Sequence, residues 1–187
     1  MTAEARPGER VTLSPELRQR IVDEFPKYPE KRAVLLTALH FVQAEHGGWI
    51  PHELVGELAE LHEIPAIDVA EVISFYSLFH SEPVGRFHLQ VCTNLSCCLR
   101  GARGIVDALS EALDILPGER AEDGLFSLAE VQCLGSCGTA PVLQVNNERF
   151  DERLTKESVV ALVDRLRRQG VNGANGAVGA NGKGDRV

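Results

Sequence analysis

Five cysteines are the residues of this sequence whose type and spacing could do chemistry, and four of them form two pairs. Cys92 and Cys97 are separated by four residues, and Cys133 and Cys137 are separated by three. Four thiolates are a complete ligand set for a [2Fe-2S] cluster or for one tetrahedral metal ion. The two pairs therefore indicate a site that binds an iron–sulfur cluster or a metal ion.

The surroundings of the pairs favour the iron–sulfur cluster, although other interpretations stay open. Gly135 and Gly138 let the backbone wrap closely around a bound group and leave its N–H groups accessible. Structural zinc also takes four cysteines, but its knuckles are usually small independent ribbons. Unliganded thiols would not require glycines beside the pair. A thioredoxin-type dithiol needs a Cys-x-x-Cys motif, and the odd number of cysteines argues against a disulfide framework.

Cys98 is the fifth cysteine, and it directly follows a member of the first pair. Two adjacent residues cannot easily direct both side chains at one cluster. We therefore expect Cys98 to be a packing residue and not a ligand.

The first part of the chain, which must support this site, is predicted to be helical. Ser14 and Pro15 form a helix-start signal, with a capping side chain followed by proline at the first helical position. Apolar residues at helical spacing predict three more helices, over residues 30–45, from Pro51 onwards and over residues 66–79. Short connections between such amphipathic helices predict that they pack as a small bundle.

After Gly85 the pattern changes to the alternation of apolar and polar residues that is typical of strands. Both cysteine pairs fall where a predicted strand ends, and loops at strand ends are places where a scaffold can hold chemistry rigidly. The predicted elements are a strand at residues 87–91, a helix at 101–116, strands at 126–134, 142–145 and 149–154, and a helix at 155–168. The fold class is therefore α+β, with a helical bundle followed by a compact α/β layer.

These predictions divide the chain into four parts. They are a flexible N-terminus at residues 1–12, the helical bundle at 13–83, the cysteine-bearing α/β domain at 84–169, and a glycine-rich tail at 170–187. The tail has few apolar side chains, so it cannot offset the entropy cost of ordering, and we expect it to be disordered.

The charge of the chain restricts the class of protein. The formal net charge is −8, and residues 1–85 alone hold 14 acidic and 7 basic side chains. A general nucleic-acid binder needs a basic face to displace counterions from phosphate, so this class is disfavoured. The sequence has no apolar run of about 18–20 residues that could span a membrane. The first residues also lack the apolar stretch of a secretory signal, so we expect a cytoplasmic protein.

Together, these motifs resemble a known family. The similarity rests on the run Phe75-Tyr76-Ser77-Leu78-Phe79, on Pro83-Val84-Gly85, on the two cysteine pairs and on Ala140-Pro141. Over roughly residues 13–168 the sequence resembles the thioredoxin-like [2Fe-2S] subunit of NADH-quinone oxidoreductase, or complex I. The resemblance implies a thioredoxin-like ferredoxin domain whose cluster is held by Cys92, Cys97, Cys133 and Cys137. Cys98 departs from the family pattern.

The resemblance also implies a partner and a role. The chain would form a heterodimer with a flavin- and NADH-binding subunit, in the peripheral arm of a membrane-bound complex on its cytoplasmic side. Its cluster would accept electrons from the FMN of that partner. The sequence has no G-x-G-x-x-G motif after a strand, so we expect it to bind neither NADH nor FMN alone. Equivalent subunits of NAD-dependent formate dehydrogenase or NAD-reducing hydrogenase remain alternatives, as does a zinc-stabilised scaffold without redox activity.

Overall fold

The computed structural model describes residues 11–173, and it begins with a helical region. The α-helices of this region are α1 (Pro15–Val22), α2 (Leu35–Glu45), α3 (Leu54–His62) and α4 (Ala66–Phe75), with 3-10 turns at Phe25–Lys27 and Lys31–Val34. Within the described residues, no helix combines the length and the apolar character needed to cross a membrane.

The helices form where capping groups and apolar spacing favour them. The Ser14 side chain accepts a hydrogen bond from the backbone N–H of Leu17 at 3.1 Å, which satisfies one of the free donors at the start of α1. Residues from all four helices then share one apolar cluster, in which Leu17, Ile21, Leu39 and Leu58 are fully buried. The existence of these helices as a separate bundle domain stays a prediction.

Helix α4 ends at Phe75, and the predicted end at Phe79 is wrong. Tyr76 has an extended backbone, with φ −88° and ψ 113°, and this conformation stops the helix. The backbone N–H of Phe79 then donates to the carbonyl of Tyr76 at 3.0 Å. The turn buries the Phe79 side chain in the apolar cluster, whereas Phe75 is 80% exposed.

The second part of the described chain contains a four-stranded sheet. Its strands are β1 (Phe87–Cys92), β2 (Phe126–Val131), β3 (Val142–Val145) and β4 (Arg149–Glu152), in the spatial order β2-β1-β3-β4. Strand β1 pairs with β2 in parallel and with β3 antiparallel, and β3 pairs with β4 antiparallel. The mixture of helix and strand that the sequence predicts is thereby confirmed.

Three helices accompany the sheet: α5 (Leu95–Leu99), α6 (Ala102–Leu113) and α7 (Lys156–Gly173). Buried residues of β1 to β3, α6 and α7 form a second apolar cluster, which includes Leu89, Leu109, Leu143 and Val159. Helix α5 was not predicted from the sequence, because it is only five residues long and contains two of the cysteines, Cys97 and Cys98.

Several predicted ends are also corrected. Helix α6 stops at Leu113 and not at residue 116, because Asp114 adopts a left-handed conformation with φ 55°. Strand β2 ends at Val131 and not at residue 134. The Val131 carbonyl accepts a hydrogen bond from the Thr93 N–H at 3.0 Å. Beyond Thr93 the chain that forms β1 turns away into α5, so the pairing of β2 with β1 stops there. Strand β4 ends at Glu152 and not at residue 154.

Helix α7 continues to Gly173, so the boundary that we predicted at residue 170 falls inside a helix. Gly170 is buried, and a Cβ atom added at this glycine would lie only 2.6 Å from Leu125 Cδ1. Its carbonyl accepts a hydrogen bond from the Arg86 guanidinium at 3.0 Å. These contacts hold the last part of α7 against Leu125 and Arg86, which lie just before β2 and β1. The rest of the predicted tail, residues 174–187, and most of the predicted flexible N-terminus, residues 1–10, lie outside the described residues.

Polar contacts join the two apolar clusters. The Asn147 side-chain amide donates to the Leu78 carbonyl at 2.9 Å, and the Gln43 amide donates to the same oxygen at 2.9 Å. The ring centroids of His80 and His88 are 4.5 Å apart. The helical region and the sheet are therefore in direct contact through hydrogen bonds and a pair of imidazoles.

Candidate metal centre

The parallel pairing of β1 and β2 brings the two cysteine pairs to one end of the sheet. Cys92 is the last residue of β1, and its partner in the register is Val131, the last residue of β2. Cys133 follows Val131 by two residues, so it emerges beside Cys92 at the carboxyl ends of both strands. Two residues that are far apart in the sequence thus begin neighbouring loops.

The first loop is built around a short helix with a capping asparagine. The Asn94 Oδ1 atom accepts from the backbone N–H of Leu95 at 2.7 Å and starts α5. The Asn94 amide donates to the Gln132 carbonyl at 2.8 Å, which ties this loop to the residue before Cys133. Asn94 was not among the residues predicted to support the site, although an asparagine just before a helical segment is a capping signal.

Helix α5 turns Cys97 inward. Cys92 and Cys97 are 3% and 1% exposed, and they share a small apolar cluster with Ala102, Ala140 and Val142. Burial raises the pKa of the Cys97 thiol to about 11, and a hydrogen bond with Cys92 and the charges of Cys92 and Cys137 act in the same direction. The pKa of this thiol is therefore raised mainly by its burial, with Cys92 at the end of β1 and Cys137 in the second loop adding to the shift.

The second loop carries its cysteines on the surface. Cys133 and Cys137 are exposed. The backbone at Gly135 has φ 73°, a left-handed conformation that glycine adopts without strain. Its N–H donates to the Cys133 sulfur at 3.4 Å. Cys137 begins a 3-10 turn that ends at Thr139, and the Ala140–Pro141 peptide bond that follows is cis.

A carboxylate from β4, which was not predicted to take part in the site, is hydrogen-bonded to this second loop. The Glu152 Oε1 atom accepts from the Thr139 hydroxyl at 2.7 Å and from the Ser136 hydroxyl. These hydrogen bonds hold the pKa of Glu152 below its usual range. No local signal in the sequence marks Glu152, because its partners lie in a different segment and meet it only through the pairing of β3 with β4.

Cys98 has a partner inside its own loop. Its thiol donates to the Thr93 carbonyl at 3.0 Å, and the side chain is partly buried. The Cys98 thiol is therefore hydrogen-bonded within the protein itself, without a bound metal or cluster.

The donor chemistry of the site fits a [2Fe-2S] cluster, because four thiolates are its complete ligand set. Two buried thiols, of Cys92 at the end of β1 and Cys97 in α5, and two exposed thiols in the second loop lie at one end of the sheet. Among residues 11–173, no three His, Cys, Asp or Glu side chains are grouped closely enough to hold a single metal ion. The ligands predicted from the sequence, Cys92, Cys97, Cys133 and Cys137, stay candidates for holding the cluster.

Comparison with known proteins gives a consistent result for most of the chain. Residues 21–167 match the sequence model of a family described as thioredoxin-like [2Fe-2S] ferredoxin. NADH-quinone oxidoreductase subunit 2 of Thermus thermophilus is 47% identical over 147 residues, which are 78% of this chain and 81% of that protein. A subunit of the NADH-quinone oxidoreductase of Rickettsia bellii is 40% identical over 147 residues, which are 78% of this chain and 87% of that protein.

Among solved structures, an NAD⁺-reducing [NiFe]-hydrogenase in its H2-reduced state has a similar fold. The TM-score is 0.63 and the sequence identity is 25%, and the match covers 72% of this chain. It covers only 23% of the hydrogenase chain, so most of that protein has no counterpart here.

Proposed function

Because the chain belongs to the family of thioredoxin-like [2Fe-2S] ferredoxins, we propose that it is the electron-transfer subunit of an NADH-quinone oxidoreductase. The curated relatives reported above bear the names of subunits of this enzyme, and both are at least 40% identical to the chain. The activity belongs to the assembled complex, and this chain contributes a redox centre to it.

The observation that carries the proposal is that the parallel register of β1 and β2 places the two cysteine pairs at the same end of the sheet. In the proposal, Cys92 and Cys97 hold the cluster from the buried side, and Cys133 and Cys137 hold it from the exposed side. The hydrogen bond from Asn94 to the Gln132 carbonyl fixes one loop relative to the other.

When bound, the cluster supplies a centre that takes up and gives back one electron. The chain's own residues provide its surroundings. Burial of Cys92 and Cys97 excludes water from one side, and the Gly135 N–H that reaches the Cys133 sulfur at 3.4 Å would stabilise negative charge there. The exposed side, at Cys133 and Cys137, is where a redox partner could approach the site most closely.

The partner in this proposal is the flavin- and NADH-binding subunit, whose FMN would supply the electrons. Support comes from the relatives, which are named as subunits of an enzyme that oxidises NADH. We place the heterodimer in the peripheral arm of the complex, on the cytoplasmic side, without membrane insertion or nucleic-acid binding by this chain.

Metal and sulfide analysis tests the proposal. The purified chain should contain about two iron atoms and two acid-labile sulfides, and it should give an EPR signal after reduction. Cys137→Ser should lose or strongly perturb that signal, because one ligand is removed. Cys98→Ser is the matched control and should keep both the iron content and the signal.

Two outcomes would contradict the proposal. One zinc per chain with no colour would make the protein a zinc-stabilised scaffold. Loss of iron in Cys98→Ser, with full retention in Cys137→Ser, would overturn the ligand set.

A second candidate is the equivalent subunit of an NAD-reducing hydrogenase or an NAD-dependent formate dehydrogenase. The likeness to the NAD⁺-reducing hydrogenase, with its TM-score of 0.63, favours keeping this candidate. Affinity purification from the native cell, followed by mass spectrometry of the complex, separates the two. Quinone-reducing subunits support the first candidate, and a hydrogenase or formate dehydrogenase subunit supports the second.

A further inference from the structure

The loop between β2 and β3 must hold Cys137 with little regular structure. Between Val131 and Val142, the structure describes a single short 3-10 turn, Cys137–Thr139. Both cysteines of the loop are exposed, so apolar packing cannot fix them as it fixes Cys97. The position of Cys137 must therefore depend on hydrogen bonds.

Those hydrogen bonds converge on one carboxylate. Ser136 lies directly before Cys137 and Thr139 lies two residues after it, and both hydroxyls donate to the Glu152 Oε1 atom. The two hydroxyl oxygens are 2.7 Å apart. The Thr139 backbone N–H also donates to the Ser136 carbonyl at 3.1 Å. Glu152 thus fastens the chain on both sides of Cys137.

Glu152 is itself held by the sheet. It is the last residue of β4, and it pairs with Val142 at the start of β3. The next residue, Arg153, donates its backbone N–H to the Thr139 carbonyl at 2.8 Å. The carboxylate therefore connects a paired strand to a loop that has little regular structure.

We propose that Glu152 is the positioning residue for Cys137, so that this carboxylate controls how firmly the site retains its cluster. The inference rests on the proposed function, because it presumes that Cys137 is a cluster ligand. Glu152 acts through Ser136 and Thr139 and does not bind the cluster itself. Residues that orient metal ligands in this way typically change metal affinity by about 10–100-fold when they are removed.

The test compares three full-length variants in the cluster-loaded protein. Glu152→Ala removes both acceptor contacts. Glu152→Gln keeps an oxygen that can accept them but removes the charge. Glu148→Ala is the matched control, because Glu148 is an exposed carboxylate in the turn that precedes β4. The readouts are the rate of cluster loss to an iron chelator, the EPR line shape after reduction, and the melting temperature of the metal-free chain.

We expect Glu152→Ala to lose its cluster about tenfold faster than the parent protein and to broaden the EPR signal. Glu152→Gln should recover much of the retention, because the amide oxygen can still accept both hydroxyls. Glu148→Ala should match the parent. The melting temperature of the metal-free chain should change little in all three, since Glu152 is exposed and lies outside both apolar clusters.

Two results would overturn the inference. Equal retention and equal EPR spectra in Glu152→Ala and the parent would show that the carboxylate does not position Cys137. An equal loss in Glu148→Ala would indicate a general surface-charge effect. If the parent protein itself contained no iron, the proposed function would fail instead, so the two failures are distinguishable.

Discussion

The four paired cysteines lie in two different environments. Cys92 and Cys97 are buried among small apolar side chains, whereas Cys133 and Cys137 are exposed on a loop. Burial holds the first pair in place by packing, and hydrogen bonds must hold the second pair. On the exposed side of the site, we therefore expect a single polar residue such as Glu152 to fix the position of a cysteine, although Glu152 is itself exposed.

A single glycine at the junction provides a stability test at the same scale. A Cβ atom at Gly85 would lie 2.2 Å from the backbone carbonyl carbon of Phe126, and backbone cannot move aside as a flexible side chain can. Gly85→Ala should therefore lower the free energy of unfolding by about 1–3 kcal/mol, as overpacking typically does. Urea unfolding of the full-length chain measures the change.

Gly56→Ala is the control for this substitution. Gly56 lies inside α3, and a Cβ atom there would meet nothing within 4 Å. Alanine should stabilise the helix by about 0.5–1 kcal/mol, because it loses less backbone entropy on folding. If Gly85→Ala were as stable as the parent, the close approach to β2 would not be a constraint.

Strand β1 connects the cysteine site with the junction between the two apolar clusters. One end of the strand carries Cys92, and the other end carries His88, whose Nδ1 atom is 2.7 Å from the Ser127 hydroxyl. His88 is buried, and its ring lies against that of His80. The same element therefore positions a candidate ligand and a titratable group that water scarcely reaches.

The buried imidazole predicts a loss of stability in acid. Burial lowers the pKa of His88 to about 4, and the neighbouring His80 acts in the same direction. In the unfolded chain the pKa returns to about 6.5, so between these values the unfolded state binds a proton that the folded state does not. As far as His88 is concerned, the free energy of unfolding is therefore at its full value above about pH 6.5 and falls as the pH decreases towards 4. For His88 alone we expect a loss of about 2 kcal/mol between pH 7 and pH 5.

His88→Asn tests this contribution, because an asparagine amide can occupy the place of the imidazole Nδ1 atom beside Ser127. Urea unfolding of the metal-free, full-length chain at pH 7 and pH 5 should show a smaller loss of stability in His88→Asn than in the parent. His52→Asn, at an exposed histidine, should behave as the parent does. An identical acid loss in His88→Asn and the parent would contradict the assignment.

At the scale of the whole molecule, charge and apolar packing divide the chain in a similar way. Residues 1–85 contain 14 acidic and 7 basic side chains, which account for most of the net charge of −8. One apolar cluster uses residues from 11 to 79, and a second uses residues from 87 to 166. The contacts between the two regions include the hydrogen bond from Asn147 to the Leu78 carbonyl and the ring pair of His80 and His88. These observations support the predicted domain boundary at residues 83–84, which stays a proposal.

A fragment of residues 84–187 tests that boundary. We expect it to fold, with a circular dichroism spectrum of mixed helix and strand, and to hold two irons, because it contains the whole sheet and all four candidate ligands. It should be less stable than the full chain, since it loses the hydrogen bond from Asn147 to the Leu78 carbonyl. A fragment that is unfolded in the presence of iron and sulfide would show that the chain is one cooperative unit.

The sequence alone was sufficient to locate most of the elements, the family and the four candidate ligands. Helical spacing, strand alternation and pair spacing are local properties, so they can be recognised in short segments such as the strand predicted at residues 87–91 or the helix predicted at 155–168. Local signals failed at ends that depend on distant partners. Strand β2 stops where its neighbour turns into α5, and α7 continues because Gly170 lies against Leu125.

The tertiary structure alone decided how the site is assembled. Parallel pairing of β1 with β2 places Cys92 beside the start of the second loop, across about forty residues of sequence. The burial of Cys97 and the contacts of Glu152 with Ser136 and Thr139 likewise depend on which segments become neighbours. Sequence spacing encodes which residues could act together, but burial and long-range hydrogen bonds arise only when the chain has folded.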